Sequence, residues 1–321
     1  MSEEEKTKLE AYADGQTMRK RQSPKRKKLN ATASGRKRKT TTTKKQTQPE
    51  PARIIEPELA PVEEQHNVIF KPNAGPQTDF LAAGEREVLY GGSAGGGKSY
   101  AMLADPLRFM GHPAFSGLLL RHTTEELREL IFKSQEMYPK IWPGIKWSER
   151  KMQWTAPSGA RLWMSYLDKE DDVLRYQGLA FSWIGFDELT QWPSPFAWNY
   201  MRSRLRSTAT DLPVYMRATT NPGGRGHHWV KKMFIDPAPY GKAFNATDIE
   251  TNEVLSYPAG HAKAGKPLFK RRFIPARLSD NPYLAEQGDY EAMLLSLPEQ
   301  QRRQLLDGDW DIKEGAAFTE F

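Results

Sequence analysis

Short apolar runs alternate with segments of helical periodicity between residues 85 and 220 of the chain. Four runs are almost continuously apolar, which is typical of parallel strands that helices cover on both faces: GLLLRH, ARLWMSYL, FSWIGFDE and PVYMRATTNP. EREVLYGG predicts a further strand that enters a glycine turn, and KSYAMLADPLRFM predicts the helix that leaves this turn. The alternation predicts an α/β fold with a mostly parallel sheet flanked by helices.

The clearest helix is TTEELRELIFKSQEMY, which opens with a Thr-x-x-Glu capping pattern at Thr123 and Glu126. Further along, glycine, proline and basic residues in SYPAGHAKAGKPLFKRR predict a long loop or an inserted segment. The final stretch, which begins with DYEAMLLS, predicts a pair of helices followed by an open-ended extension.

Basic residues are concentrated at the N-terminus. Residues 1–53 hold 16 Lys and Arg against 6 Asp and Glu, whereas the whole chain holds 47 against 40. Low complexity and few apolar residues predict that residues 1–62 are disordered, because such a segment cannot bury enough apolar area to offset the entropy of ordering. The pattern fits a basic arm on DNA phosphates or an acidic partner, and it fits a solvated tail without a specific role equally well.

Composition also narrows the function classes. The chain has no cysteine, which excludes disulfides and thiolate metal sites. It contains no apolar run of about 18 residues and no apolar segment near its start, so we expect neither a membrane partner nor a secretory signal.

A glycine-rich stretch, LYGGSAGGGKSYAML, carries the phosphate-binding pattern G-x-x-x-x-G-K-[ST] between a predicted strand and a predicted helix. In such a loop the backbone N–H groups converge on phosphate oxygens, because glycine has no Cβ. Lys98 is predicted to pair with the β- and γ-phosphates, and Ser99 to ligate Mg²⁺ at the start of the helix. The predicted nucleotide-binding residues are Gly92, Ser93, Ala94, Gly95, Gly96, Gly97, Lys98 and Ser99.

An acidic pair ends a second predicted strand, in WIGFDEL. Asp187 is predicted to hold the Mg²⁺ shell, and Glu188 to polarise the attacking water as a general base. A strand-end acidic pair is common on protein surfaces, but downstream of a phosphate loop it indicates a Walker B segment. The adjacent glutamate favours an ATPase over a GTPase or a small-molecule kinase.

Two further sites involve uncharged polar residues. Thr219, Thr220 and Asn221 end a predicted strand, where a Thr/Asn pair near the γ-phosphate can sense whether that phosphate is present. Gln77 precedes the glycine run, and its amide can both donate to and accept from adenine.

Taken together, these stretches resemble the large terminase subunit of tailed bacteriophages, the ATPase that packages DNA. The resemblance runs from about residue 66 to 321 and rests on PQTDFL, LYGGSAGGGKS, GLLLRHTTEELREL, YQGLAFSWIGFDELTQW, TTNPGGRGHHWVKKMFI and LSDNPYL…LLDGDWD. Among them, TNPGG…HHWVK is far more specific than the phosphate loop, which many families share.

The resemblance implies a RecA-like ASCE ATPase with ATP and Mg²⁺ as cofactors. It implies that Gln77 belongs to the adenine-contacting segment and that Thr219, Thr220 and Asn221 couple hydrolysis to DNA movement. The implied partners are double-stranded DNA, the portal protein, the small terminase subunit and further copies of the chain in a ring. The implied location is the host cell cytoplasm, transiently at the portal vertex of the capsid.

A ring ATPase needs an arginine that reaches the γ-phosphate of a neighbouring subunit, since a cation there stabilises charge in the transition state. Arg175, in VLRYQGLAF, is the leading candidate for this catalytic role, and Arg121, Arg202 and Arg204 are alternatives. Many family members carry an arginine inside the phosphate loop, where this chain has Ser93 and Ala94. That departure puts more weight on an arginine from a neighbour.

The resemblance also suggests the domain organisation. We expect a disordered basic tail over residues 1–62, the ATPase domain over 63–275, and a helical segment and linker over 276–321. Family members continue into an RNase H-like nuclease, which we expect to begin where this chain ends, so nuclease activity is not expected from it. A helicase or recombination ATPase, or a fragment that binds DNA or a partner without turnover, are the alternative functions.

Two other clusters can suggest metal sites. Asp307, Asp309 and Asp311 alternate in LLDGDWDI, but the resemblance places them in the connection to the nuclease. His227 and His228 adjoin Trp229, yet adjacent histidines usually point apart, so we expect a structural role or a part in the coupling region.

Overall fold

The computed structural model describes residues 70–312, which belong to one compact unit, Gln65–Phe321. The predicted disordered tail over residues 1–62 lies outside the described residues, as does the end of the predicted 276–321 segment. Within the described part of the chain, no helix is long and apolar enough to cross a membrane.

The described residues form a nine-stranded sheet in the order β3-β4-β5-β2-β6-β7-β1-β9-β8. The six strands from β5 to β9 in that order pair in parallel, whereas the β3–β4 hairpin and β8 add antiparallel edges. The strands are β1 Glu87–Gly92, β2 Ser116–Arg121, β3 Lys146–Ser148, β4 Gln153–Thr155, β5 Arg161–Tyr166, β6 Trp183–Phe186, β7 Tyr215–Thr220, β8 Ala243–Asn245 and β9 Lys270–Ala276. The predicted mostly parallel α/β fold is confirmed.

Helices flank the sheet and connect its strands. They are α1 Pro76–Ala82, α2 Lys98–Ala104, α3 Thr124–Ile141, α4 Phe196–Arg202, α5 His227–Val230, α6 Pro282–Ala285, α7 Asp289–Leu295 and α8 Glu299–Arg302. π-helical turns extend α5 over Lys231–Ile235 and α8 over Arg303–Asp307, and 3₁₀ turns cover Asp105–Phe109, Glu149–Lys151, Glu170–Tyr176, Leu189–Gln191 and Leu278–Asp280.

The two faces of the sheet form separate cores, which explains the continuous apolar runs. On β2, Leu118 and Leu120 pack into one hydrophobic cluster, and Leu119 between them packs into the other. β6 divides in the same way, with Trp183 on one side and Ile184 on the other. Side chains of a strand alternate between faces, so a strand covered on both sides needs apolar residues at every position.

The helix predicted from the Thr-x-x-Glu pattern is present as α3. The amide of Glu126 donates to the Thr123 hydroxyl at 3.4 Å, and the amide of Thr123 donates back to the Glu126 carboxylate at 3.3 Å. The helix predicted from KSYAMLADPLRFM ends earlier, because α2 gives way to a 3₁₀ turn where Pro106 follows Asp105. Proline lacks the N–H that the next α-helical hydrogen bond requires.

One strand lies where the sequence predicted a loop. The end of SYPAGHAKAGKPLFKRR enters β9, which pairs in parallel with β1 over six residue pairs. A strand that contains Pro275 and three consecutive basic residues carries little local β signal. The predicted helix pair near the C-terminus is present as α7 and α8.

Candidate functional site

Strand order brings three of the predicted motifs to one edge of the sheet. β6, β7 and β1 are neighbours and run in parallel, so the segments after their carboxyl ends are adjacent. The phosphate loop follows β1, Asp187 and Glu188 follow β6, and Asn221 follows β7. In open α/β sheets this edge is where ligands bind.

The phosphate loop has the backbone that its glycines predict. Gly92 and Gly97 have φ values of 142° and 77°, which side chains rarely tolerate. A Cβ on Gly92 would also lie 2.2 Å from the carbonyl oxygen of Ala276, so a larger residue would separate β1 from β9. The amide of Ser93 donates to that same carbonyl at 2.8 Å. The start of the loop is therefore fixed to the sheet.

Lys98 is buried, with 7% of its surface exposed, and its Nζ donates to the carbonyl of Ser93 at 2.5 Å. Burial lowers the pKa of Lys98, while the carboxylates of Glu188 and Asp187 act in the opposite direction. The ammonium thus lies inside the loop and close enough to both acids to feel their charge.

A cavity of about 270 Å³ opens beside the loop. It combines residues from all three motifs with residues from α3 and from the C-terminal segment. They are Ala94, Gly95, Gly96, Gly97, Lys98, Ser99, Tyr100, Lys133, Glu188, Asn221, Asn281 and Leu284.

The acidic pair occupies two different environments. Both carboxylate oxygens of Asp187 are engaged, one with Arg121 and the other with the hydroxyl of Thr219. Glu188 has a left-handed backbone with φ 59°, and its carboxylate accepts from the amide of Asn221 at 3.3 Å. Burial raises the pKa of Glu188, and the neighbouring Asp187 raises it further.

The predicted coupling residues at the end of β7 contact the acidic pair directly or through Thr190. Thr219 donates to Asp187, and the hydroxyls of Thr220 and Thr190 lie 2.7 Å apart. Thr190 follows Glu188 by two residues, so this hydrogen bond joins the turn after β6 to the end of β7. Sequence reasoning missed Thr190, because a threonine in a turn gives no local signal of its partner.

Gln77, which the sequence predicts to contact adenine, lies beside the phosphate loop, and both ends of its amide contact the chain itself. Its Oε1 accepts from the amide of Asn73 at 2.6 Å, and its Nε2 donates to the carbonyl of Gly97 at 2.9 Å. Only 3% of Gln77 is exposed. In this structure its amide fixes the loop rather than pointing into open space.

The segment after Ala276 closes the loop from the other side. The amide of Ala94 donates to the carbonyl of Leu305 at 2.6 Å, and the side chain of Asn281 donates to the carbonyl of Gly95 at 2.7 Å. Residues on both sides of the predicted 275/276 domain boundary therefore contact the same loop. No local pattern announces these contacts, which join residues remote in the sequence.

A family model described as terminase large subunit, T4likevirus-type, N-terminal, matches residues 89–321. The chain belongs to this terminase family. The match includes the phosphate loop, the acidic pair and β7, and it confirms the resemblance predicted from the sequence.

Solved terminase structures share the fold. The large terminase of a thermophilic bacteriophage is 17% identical, with a TM-score of 0.54 over 75% of this chain and 54% of that one. A complex of the same thermophilic phage protein with ADP gives 18% identity and a TM-score of 0.53, over 74% of this chain and 54% of that one. A variant of the large terminase ATPase domain of Thermus phage P74-26 gives 14% identity and a TM-score of 0.50, over 75% of this chain and 94% of that one.

This chain spans about half the length of the thermophilic phage terminase that it matches. A search of curated protein sequences found no match.

Arg175 lies away from the phosphate loop of its own terminase chain. It belongs to the turn after β5, where its guanidinium lies 5.7 Å from the Tyr166 ring and forms an ion pair with Asp172 at 3.2 Å. Four strand spacings separate β5 from β1, or about 19 Å. Arg175 is not among the residues that line the cavity beside the phosphate loop.

The alternative arginines differ in how they are held. Arg121 is bound to Asp187, and Arg202 is bound to the buried Glu87 at the opposite edge of the sheet. Arg204 lies over the ring of Tyr200, 5.3 Å from its centroid. Among the four candidates, Arg121 and Arg202 are therefore engaged with buried carboxylates, whereas Arg175 and Arg204 lie at the surface.

The other clusters noted in the sequence have structural partners. His227 stacks on Trp310 with ring centroids 5.3 Å apart, and Asp311 pairs with Lys231 at 2.7 Å. Asp309 pairs with Arg303. In the described part of the chain, no group of three or more acids or histidines is arranged to hold a metal ion.

A larger crevice, of about 420 Å³, lies at the opposite edge of the sheet, where β1 and β7 begin. Two of its three arginines, Arg108 and Arg217, are engaged by the chain itself. Arg217 is 2% exposed and donates to the carbonyl of Ala83 at 2.6 Å, and Arg108 is bound to the buried Asp105. Arg217 thus anchors the connection between α1 and β1, and the crevice is separate from the three motifs.

Proposed function

We propose that this chain is the ATPase motor subunit of a phage terminase, which hydrolyses ATP to move double-stranded DNA into an empty capsid. The observation that carries the proposal is the meeting of Lys98, Glu188 and Asn221 around one cavity at the carboxyl edge of the sheet. Membership of the terminase family supports it. The ADP complex of a fold relative supports a nucleotide as the ligand.

The residues at the loop fit a nucleotide and magnesium. Because the glycines have no Cβ, phosphate oxygens can approach the backbone N–H groups of the loop, and Lys98 supplies a buried cation beside them. Ser99 and Asp187 are the oxygen ligands that we propose for Mg²⁺, which prefers such donors. Magnesium at this site would neutralise negative charge on the β- and γ-phosphates. Each carboxylate oxygen of Asp187 accepts one hydrogen bond, from Arg121 or from Thr219, and keeps a second lone pair for a metal ion or a metal-bound water.

Glu188 is the proposed general base. Its carboxylate lines the cavity, and its raised pKa makes it a stronger base than an ordinary glutamate. The hydrogen bond from the Asn221 amide orients it. In this role Glu188 accepts a proton from the water that attacks the terminal phosphate, while Lys98 contacts the phosphate oxygens.

Coupling to DNA is proposed to pass through the same hydrogen bonds. Asn221 contacts Glu188, and Thr220 contacts Thr190, so a change at the γ-phosphate can shift the end of β7. The side-chain Oδ1 of Asn221 is buried and has no hydrogen-bond partner within the described residues. It is therefore available to a nucleotide, a metal-bound water or a rearranged neighbour.

Assembly is proposed to complete the site. Because Arg175 is exposed and does not line the cavity of its own subunit, we propose that it acts on the nucleotide of a neighbouring subunit in a ring. The portal protein, the small terminase subunit and duplex DNA are the proposed partners, and the host cytoplasm and the portal vertex are the proposed locations.

The test is ATP hydrolysis by the purified chain with Mg²⁺, alone, with duplex DNA and with single-stranded DNA. We expect turnover that duplex DNA stimulates. Lys98→Ala should weaken nucleotide binding by about tenfold or more, because it removes the buried phosphate-pairing charge. Lys140→Ala, an exposed position on α3, is the matched control. Stimulation by single strands alone would favour a helicase, and nucleotide binding without turnover would favour a non-catalytic fragment.

Coupling is tested with Asn221→Ala. This variant should bind ATP as the wild type does and lose the stimulation by duplex DNA. Asn199→Ala, at an exposed position on α4, is the control. Normal stimulation in Asn221→Ala would remove the Asn221 side chain from the coupling role, because the variant keeps the backbone hydrogen bond to Glu188.

A further inference from the structure

One cation in the cavity belongs to none of the predicted motifs. Lys133 lies in the middle of α3 (Thr124–Ile141) and lines the cavity together with the phosphate loop, Glu188 and Asn221. Its side chain is 28% exposed, so it is neither part of the core nor free in solvent. Helix α3 reaches the site because it packs against α2, which follows the loop directly.

Lys133 is one of few charged residues that line the cavity. Its charged lining residues are Lys98, Lys133 and Glu188. A nucleoside triphosphate brings several negative charges, and bound anions require cations or N–H groups close by. The phosphate loop reads GGSAGGGKS, so it offers no cation besides Lys98. Lys133 is the remaining positive charge along the cavity wall.

The present partner of Lys133 is easily exchanged. Its Nζ donates to the Glu129 carboxylate at 2.6 Å, one helical turn away, and the Glu129 side chain is 69% exposed. Such surface pairs contribute little to stability because water and salt screen them. A phosphate oxygen in the cavity can therefore replace Glu129 at small cost.

The ammonium group of Lys133 lies near a residue that follows the phosphate loop. Its Nζ lies 5.8 Å from the centroid of the Tyr100 ring, and Tyr100 follows Ser99 in α2. The face of an aromatic ring attracts an ammonium group, which favours conformers that stay near the cavity.

We propose that Lys133 is a second nucleotide-contacting cation, which exchanges Glu129 for a phosphate oxygen of bound ATP or ADP. The inference rests on the proposed function, because it assumes that the cavity binds a nucleotide. It assigns to α3 a contact that the phosphate loop of this chain does not supply.

The experiment measures the affinity of the full chain for ADP and for a non-hydrolysable ATP analogue, each with Mg²⁺, by calorimetry. Lys133→Ala should weaken binding about tenfold, in line with the loss of one charge-assisted hydrogen bond. Lys133→Arg should restore most of the affinity, and Lys140→Ala on the same helix should match the wild type. Glu129→Gln should bind as tightly as the wild type or more tightly, since it releases the ammonium.

The two nucleotides locate the contact. A loss on both places Lys133 near the phosphates that ADP retains, and a loss confined to the analogue places it near the γ-phosphate; either supports the inference. Wild-type affinity of Lys133→Ala for both nucleotides would overturn it and leave the proposed function intact. If the wild type itself bound neither nucleotide, the proposed function would fail first.

Discussion

Two buried clusters of charged residues lie at opposite edges of the same sheet, and they differ in how their glutamate is paired: Glu87 forms ion pairs with two arginines, whereas Glu188 forms no ion pair with the described residues. We call Glu87, Arg202 and Arg271 the amino-edge cluster, because they lie where the parallel strands begin. We call Lys98, Arg121, Asp187 and Glu188 the carboxyl-edge cluster, because they lie where the parallel strands end. The first joins β1, α4 and β9, and the second lies around the proposed nucleotide site.

The pKa values of the two buried glutamates shift in opposite directions. Burial alone would raise the pKa of Glu87, but Arg202 and Arg271 outweigh it and hold the pKa below its ordinary value. Burial raises the pKa of Glu188, and Asp187 raises it further, because Lys98 and Arg121 compensate only in part. A buried carboxylate is thus stable as an anion in one cluster and costly in the other.

This difference separates a structural cluster from a functional one. Glu87, which is ion-paired on both carboxylate oxygens, holds elements of the fold together and has little to offer a ligand. Glu188, which is buried without an ion pair, can gain from a metal ion or a proton, and catalytic groups are commonly found in such surroundings. The difference can be tested by removing each charge in turn.

The largest effect is expected from Glu87→Gln. Removing one partner of a buried ion pair leaves the guanidinium of Arg271 without compensation, at a cost of about 3–5 kcal/mol in the free energy of unfolding. Urea denaturation in the absence of nucleotide measures it. Glu188→Gln, the same change in the other cluster, should leave stability unchanged or raise it. Equal losses in the two variants would contradict the proposed difference between the clusters.

A smaller effect is expected from pH. The pKa of Glu188 is raised above its ordinary value of 4.5, so its charge costs stability at neutral pH, and the cost disappears as pH falls through the raised pKa. The stability gap between Glu188→Gln and the wild type should therefore be largest at neutral pH and close on acidification. The pKa of Glu87 is lowered, so its contribution is present above pH 4.5 and is lost only as pH falls through the lowered pKa. The measurement is the urea midpoint of the wild type and of the two variants from neutral pH down to pH 4.5. A stability gap between Glu188→Gln and the wild type that widens on acidification would contradict a raised pKa of Glu188.

The smallest effect is expected at Gln77, which contacts the phosphate loop through a neutral hydrogen bond. Gln77→Ala removes the bond to the Gly97 carbonyl, so ATP affinity should fall by roughly fivefold, equivalent to about 1 kcal/mol. If Gln77 only positions the loop, GTP affinity will fall equally. If it contacts adenine, ATP affinity will fall more than GTP affinity. Unchanged affinity for both nucleotides would contradict both roles.

Much of the fold follows from local patterns, but β9 does not. The strands buried on both faces are evident because most of their positions are apolar, and α3 is evident from its capping residues. β9 instead depends on partners remote in sequence: Arg271 is buried because it meets Glu87, and the register places Pro275 opposite Gly91. Neither partner can be inferred from KRRFIPA itself.

The site divides in the same way. Lys98, Asp187 and Glu188 carry spacing and context that point to phosphate chemistry. Thr190 and Lys133 carry no such signal, since a turn threonine and a helix lysine are ordinary at the surface. They join the site only through the packing of α3 and the order of β6 and β7.

The central claim is that the carboxyl-edge cluster hydrolyses ATP with Glu188 as the base. The most direct measurement compares steady-state ATP hydrolysis and ATP binding in the wild type and Glu188→Gln, with and without duplex DNA. We predict that the variant binds ATP with wild-type affinity and loses at least about a hundredfold in turnover. Hydrolysis by Glu188→Gln at a rate near that of the wild type would contradict it.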